Sequence, residues 1–392
     1  MKPPSTKEHA QVRPPNAAGR VVPLEFGAAS GGPCASKRLA YLDWVRGIAA
    51  IVMVQGHVFQ SFLRPDLREG GPYLMSQFAG GMPPAIFLFL LGVTFAFLMD
   101  SQERKGVTAG SRWAAAFKRC GYLFAVAFAF RLQLWLFSLG QSPWTDLFRV
   151  DILNCMGFSL AVFSVMSVFR TMERIRLCAI LGAAIAAASP LVSGLEGLPP
   201  LLRNYLVPDH LFFGFFPWAA FVAFGMSAGS ILRVLKPEEV PGAMQWFGWG
   251  GVALAFGAWS MSGINPSIYG NVDFWLNSPV LVFIKTGVIL MLIAFAWVWN
   301  LQLAQSWSWV RQFGLTSLLV YWVHIELVYG NLTGLLKESL GVGQTVIAAM
   351  FTILLMFGLS LLRTNWPAVK AYLFPTANLP TAPSQQRRVS GD

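Results

Sequence analysis

Apolar residues run through this chain in long blocks broken by short polar stretches, rather than alternating with polar ones. Ten blocks reach or approach the roughly 17–25 residues that an α-helix needs to cross a bilayer. They fall at about 42–62, 83–99, 120–139, 152–169, 177–194, 210–232, 246–262, 279–300, 313–331 and 344–362. Pro and Gly clusters such as Gly70-Gly71-Pro72 and Gly197 to Pro200 lie between blocks, where turns belong. Pro217 lies inside the sixth block and predicts a kink there. Gly225-x-x-x-Gly229 in the same block predicts a close helix–helix contact. The fold expected is all-α: a polytopic membrane helix bundle of about ten transmembrane helices.

Composition sharpens this picture. The chain of 392 residues is 55% hydrophobic and 12% charged, whereas soluble domains carry about 25% charged residues. Its 15 Trp and 32 Phe suit membrane interfaces and the packing between spans. Residues 1–37 are rich in Pro, Gly, Ala and Ser and lack helical periodicity, so they read as a disordered cytoplasmic tail without the apolar core of a secretory signal. Residues 375–392 read as a second such tail, leaving 38–365 as the membrane domain.

Charge sets the expected orientation. With the N-terminus inside, 21 of the 29 Lys and Arg fall on the cytoplasmic side and 5 outside, the asymmetry that membrane insertion favours. Both termini are then cytoplasmic. The net charge of +11 is accounted for by basic residues facing the headgroups of the lipid bilayer, with no nucleic acid as partner. No Cys or His spacing suggests a metal site. Neither a phosphate-binding Gly-rich loop with Lys nor a nucleophile elbow is present.

Ionisable groups inside spans are costly and mark cavities or partners. The first span carries Asp43 and Arg46 at its inner mouth and His57 about 20 Å further in, at 1.5 Å per residue. His324, with Glu326 beyond it, lies near the middle of the ninth span. Arg131 lies in the outer half of the third span, and Lys285 near the outer end of the eighth. Each has a structural alternative: a histidine can bond a neighbouring helix, a long cation can snorkel, and Asp43 with Arg46 can form an interfacial pair. Asp209-His210 can cap a helix. If the groups face one another, they line one path through the membrane.

Several of these segments resemble a known family. Leu42-Asp43-x-x-Arg46-Gly47, followed by Met53 and His57, resembles the first helix of bacterial relatives of heparan-alpha-glucosaminide N-acetyltransferase, within a wider superfamily of transmembrane acyltransferases. Pro84 to Gly92, Asp151 to Gly157, Phe216-Pro217-Trp218 with Gly225 to Gly229, and Gly314 to His324 resemble further family motifs in the same order, over roughly 38–365. The resemblance implies a location in the bacterial inner membrane. It also implies acyl transfer, with acetyl the first choice, from cytoplasmic acyl-CoA to a glycan or small-molecule hydroxyl or amine on the other side. His57 is then the catalytic candidate. The lysosomal family member has its active His slightly later, after the first helix, and the stretch Arg64 to Met82 here has none.

The chemistry suits the residues. A thioester is already activated, so the reaction calls for no metal. A His can take the acceptor's proton or be transiently acylated itself. His324 is a second base, Arg131 or Lys285 can stabilise an oxyanion, and Asp43, Arg46, Lys118 and Arg119 stand where coenzyme A would arrive. A transporter for an anionic or acylated small molecule and a non-catalytic membrane scaffold are the competing readings. Homo-oligomer formation is left open. For the orientation, reporters fused after Arg104 and Arg174 are expected to read cytoplasmic and one after Arg68 external; a cytoplasmic signal at Arg68 would reverse it.

Overall fold

The computed structural model describes residues 39–373 apart from 139, 264–267, 271 and 303–306. Both expected tails, 1–37 and 375–392, lie outside the described residues. Among the described residues the structure is helical, and its only β-type pairing is an isolated bridge between Leu63 and Leu340. The helices are α1 (Ala40–Phe62), α2 (Gly71–Gly80), α3 (Met82–Arg104), α4 (Ala109–Phe137), α5 (Ile152–Phe163), α6 (Thr171–Ser193) and α7 (Pro200–Leu206). They continue with α8 (Phe215–Val234), α9 (Val240–Ser260), α10 (Pro279–Gln302), α11 (Trp309–Leu315), α12 (Ser317–Tyr329), α13 (Val342–Thr364) and α14 (Trp366–Leu373).

Seven stretches among the described residues are long and apolar enough to cross a membrane: Tyr73–Arg104, Ala109–Phe137, Trp144–Ser167, Thr171–Ser193, Phe215–Val234, Pro279–Gln302 and Val342–Thr364. The chain is an integral membrane protein. The other three expected spans are helical too, but each is less apolar or shorter. α1 carries Asp43, Arg46, Gln55, His57 and Gln60. α9 is rich in Gly and Trp. The ninth span is broken at Thr316 into α11 and α12, and α12 has only 13 residues.

Packing shows how these helices run. Gly80 approaches Gly56 while Phe87 packs with Ala50 and Val54, so α3 descends as α1 rises. α3 and α8 run the same way, with Phe89 against Gly225, Val93 against Gly229 and Asp100 against Arg233. α6 runs opposite to α8, with Ile175 at Ser227 and Gly182 at Phe224. α5 opposes α4 through Arg131–Asp151 and Phe124–Gly157. α10 opposes α9 (Gly287 at Ala255, Ala294 at Gly248) and packs on α1 through Phe295 and Trp299 at Trp44. α13 opposes α1, with Ala349 near Val58 and Met356 near Ala50. These directions alternate along the chain. α8 and α10 both descend, so α9 must rise between them despite its modest apolarity.

Several boundaries differ from the sequence reading. α4 and α6 begin at Ala109 and Thr171, earlier than 120 and 177, because their first turns are polar and held by ion pairs rather than by lipid. α8 begins at Phe215, so Pro217 falls in its first turn, where a missing N–H costs nothing. The backbone departure is at Phe216, with φ −88° and ψ 133°, and His210 lies outside the helix. Outward faces of α9 and α13 are apolar, with Trp246, Trp249, Phe256, Ile347, Phe351 and Leu354 exposed, as lipid contact demands.

The α3–α8 contact depends on absent side chains. A Cβ on Gly225 would lie 1.9 Å from the Phe89 carbonyl oxygen, and one on Gly92 2.1 Å from that of Val222. Backbone atoms cannot yield as a side chain would. Gly225→Ala is therefore expected to destabilise the bundle by about 1–3 kcal/mol or more, read as a lower Tm in detergent. Gly257→Ala on α9, with nothing within 4 Å of the added carbon, serves as the control and should leave Tm unchanged or raised. Equal behaviour of the two variants would sink the close-approach explanation.

Candidate functional site

α1 sits inside the bundle, touching α2, α3, α10, α11, α12 and α13. Asp43 is buried and His57 half-buried against protein, whereas Gln60 near the end of the helix is exposed. His57 and His324 meet here: His57 Nδ1 lies 2.9 Å from His324 Nε2. The rings are 9° from parallel with centroids 5.1 Å apart. With that N···N distance the arrangement is edge to edge, which places the bond in both ring planes. His324 is fully buried, 0% exposed, and His57 is half-buried.

The neighbours fix this register. One turn further along both helices, the Ser61 hydroxyl donates to the Val328 carbonyl at 3.0 Å. The Tyr329 hydroxyl donates to Gln60 Oε1 at 2.9 Å, and its ring meets the His57 ring edge-on at 5.5 Å. Beyond the helix ends, Leu340 N donates to Phe62 O and Arg64 N to Leu340 O. At the other end of α1, Gly47 and Gly314 let the backbones of α1 and α11 touch: a Cβ on Gly314 would lie 1.8 Å from the Asp43 carbonyl oxygen.

The pair has a defined proton arrangement when neutral. His324 Nδ1 lies 2.7 Å from the Val320 carbonyl oxygen. A carbonyl only accepts, so Nδ1 of His324 carries the proton and its Nε2 is left as an acceptor. His57 Nδ1 must then donate to it. The proton of neutral His57 is thus spent on His324, and His57 Nε2 holds a bare lone pair with no hydrogen bond among the described residues. This is the geometry of a base oriented by a second group.

Lys285 reaches the turn between α2 and α3. Its Nζ donates to Gly81 O at 3.1 Å and lies 5.3 Å from the centre of the Trp218 ring. Gly80, the preceding residue, packs on Gly56 beside His57. No carboxylate pairs with Lys285 among the described residues. An ammonium has three donors, and Gly81 takes one.

The other expected residues are distributed elsewhere. Arg131 is held by Asp151 at 3.0 Å, and Asp151 also caps α5 by accepting from Leu153 N and Asn154 N. Arg46 pairs with Asp43 at 2.8 Å near the start of α1, about 16 Å along the helix from His57 at 1.5 Å per residue. Lys118 and Arg119 are exposed on α4, apart from the histidines. Glu326 shares α12 with His324, and its Oε2 is buried without a hydrogen bond among the described residues. His210 binds Asp273 on the surface at 3.2 Å. Gln60, Ser61 and Tyr329 were not singled out in the sequence, since each is an ordinary helix residue; only their spacing of three to five from a histidine hinted at them.

A sequence model described as heparan-alpha-glucosaminide N-acetyltransferase, catalytic, matches residues 38–262. The match takes in α1 with His57 and ends before α10 and α12, so Lys285 and His324 lie beyond it. No curated protein matches the chain. Because the family match covers more than half of the sequence, the chain belongs to the heparan-alpha-glucosaminide N-acetyltransferase catalytic family.

Proposed function

We propose that this protein is a transmembrane acetyltransferase that takes an acyl group from cytoplasmic acyl-CoA and gives it to a glycan or small-molecule hydroxyl or amine on the other side of the membrane. The family membership supports a membrane acetyltransferase. The observation that carries the finer reading is the lone pair of His57 Nε2, aimed by the bond to His324. The acceptor's O–H or N–H gives its proton to Nε2 as the oxygen or nitrogen attacks the thioester carbonyl carbon. The C–S bond then breaks, and the departing thiolate takes the proton from Nε2. His324 acts through His57 and is a positioning residue. Lys285 supplies a desolvated N–H donor for the oxyanion, a type of interaction worth several kcal/mol in a water-poor site.

Arg46 is the donor-side cation on the helix that bears His57. Its charge meets a phosphate of coenzyme A from the cytoplasmic mouth, with Asp43 holding the guanidinium in place. The termini are then cytoplasmic and the membrane is the bacterial inner membrane. No metal enters the reaction, because the thioester needs no further activation.

The test is purified protein with acetyl-CoA and a panel of acceptors, following release of free thiol. His57→Ala is expected to lower kcat by roughly 100- to 10,000-fold while donor binding stays near wild type; Tm should fall modestly, because the buried His324 Nε2 loses its partner. His324→Ala should lower kcat less and alter the pH profile, because His57 loses the acceptor that dictates its tautomer. Activity should fall on the acid side, where a proton taken up by the pair removes the lone pair. A His57→Ala enzyme with near-normal turnover would exclude this mechanism.

A further inference from the structure

Four arginines and two carboxylates converge where α3 and α8 end and α4 and α6 begin. Asp100 Oδ2 lies 2.9 Å from Arg104 Nε and 2.7 Å from Arg233 Nε. Glu103 Oε2 lies 3.1 Å from Arg174 Nη2 and 3.8 Å from Arg112 Nη1. The Thr171 hydroxyl lies 3.2 Å from Asp100 Oδ1 and accepts from Arg174 at 2.7 Å. Four positive charges thus face two negative ones, an excess of two.

Arg112 is the residue this arrangement does not explain. It is only 9% exposed. Its side chain makes no hydrogen bond among the described residues beyond the long approach to Glu103, and its buried Nε is unpartnered. Arg174 is 0% exposed and its Nε is unpartnered as well. A desolvated cation without full partners is expensive, and the first turns of α4 and α6 turn their positive ends to the same place. Arg104 and Arg233, with side chains 59% and 36% exposed, keep it open to the surface.

We propose that the Arg104–Arg112–Arg174–Arg233 cluster binds a phosphate group, with Arg112 as its innermost ligand. The chemistry fits a phosphomonoester or phosphodiester, because guanidinium forks match phosphate oxygens. Coenzyme A brings such groups from solution, and an anionic lipid headgroup brings one in the plane of the membrane. The site is distinct from Arg46 and does not depend on acyl transfer.

The experiment is thermal unfolding of the full chain in neutral detergent with inorganic phosphate against chloride at equal ionic strength. Two further arms use coenzyme A, and nanodiscs of phosphatidylcholine with or without phosphatidylglycerol. Phosphate is expected to raise the wild-type Tm, and the arm that reproduces the effect identifies the source. Arg112→Gln should weaken binding of the effective probe by about tenfold or more. With no ligand its Tm should equal or exceed wild type, since a surplus charge is gone. A His57→Ala protein should keep the phosphate effect, which separates this site from the catalytic reading. A ligand-free Tm that falls in Arg112→Gln with the phosphate shift intact would make the cluster a structural lock and overturn the proposal. No stabilisation of wild type by any probe would do the same. If Arg112→Gln does not fold, Arg104→Gln, on a half-exposed side chain, provides the same comparison.

Discussion

The bond between His57 and His324 depends on two helices, 267 residues apart in sequence, running in the same direction at the same depth. In hydrocarbon no water can take up a ring N–H, so each imidazole must direct its proton at a partner within the protein. The pairs His57–His324 and Ser61–Val328 advance together by one helical turn, which holds only if α1 and α12 are parallel. That requires an odd number of crossings between them. The alternation of the bundle, the need for α9 to cross and the proton arrangement of the site are therefore linked by one hydrogen bond.

The bundle meets this requirement by close backbone approach rather than by apolar burial. Lipid tails are as apolar as Leu, so helices in a bilayer associate through packing and polar contacts. The α3–α8 contact rests on Gly92 and Gly225, and the α1–α11 contact on Gly47 and Gly314. Charges are handled in the same local way. Arg131 finds Asp151 and Asp100 finds Arg233, while Lys285 settles for a carbonyl and the face of Trp218.

Much of this was legible in the sequence, and the remainder was hidden for identifiable reasons. Hydropathy marks apolar helices, so it placed His57, His324, Arg131 and Lys285 within helical stretches and gave an all-α membrane bundle. It carries no azimuth, so it could not say that His57 faces His324 whereas Arg131 faces Asp151. Asp151 is read from sequence as the start of a helix motif; its second role as counter-ion needs the α4–α5 contact. Apolarity also misplaces ends. The first turns of α4 and α6 are helical although polar, because Glu103, Thr171 and Arg174 bind one another there. Lys118 and Arg119 consequently lie along a helix rather than in a loop.

The long sequence interval between the two histidines has a consequence for biogenesis. α1 leaves the ribosome well before α12, since His324 follows 267 residues after His57. At about 5–20 residues per second, roughly 13 to 53 s pass before the partner exists. Throughout that time His57, Gln60 and Ser61 belong to a helix whose partners on α12 do not yet exist. α1 must wait beside the insertion machinery or against earlier spans such as α3. Assembly of the site then waits for α12, and a chain halted after α10 would carry a fully made α1 without a finished centre.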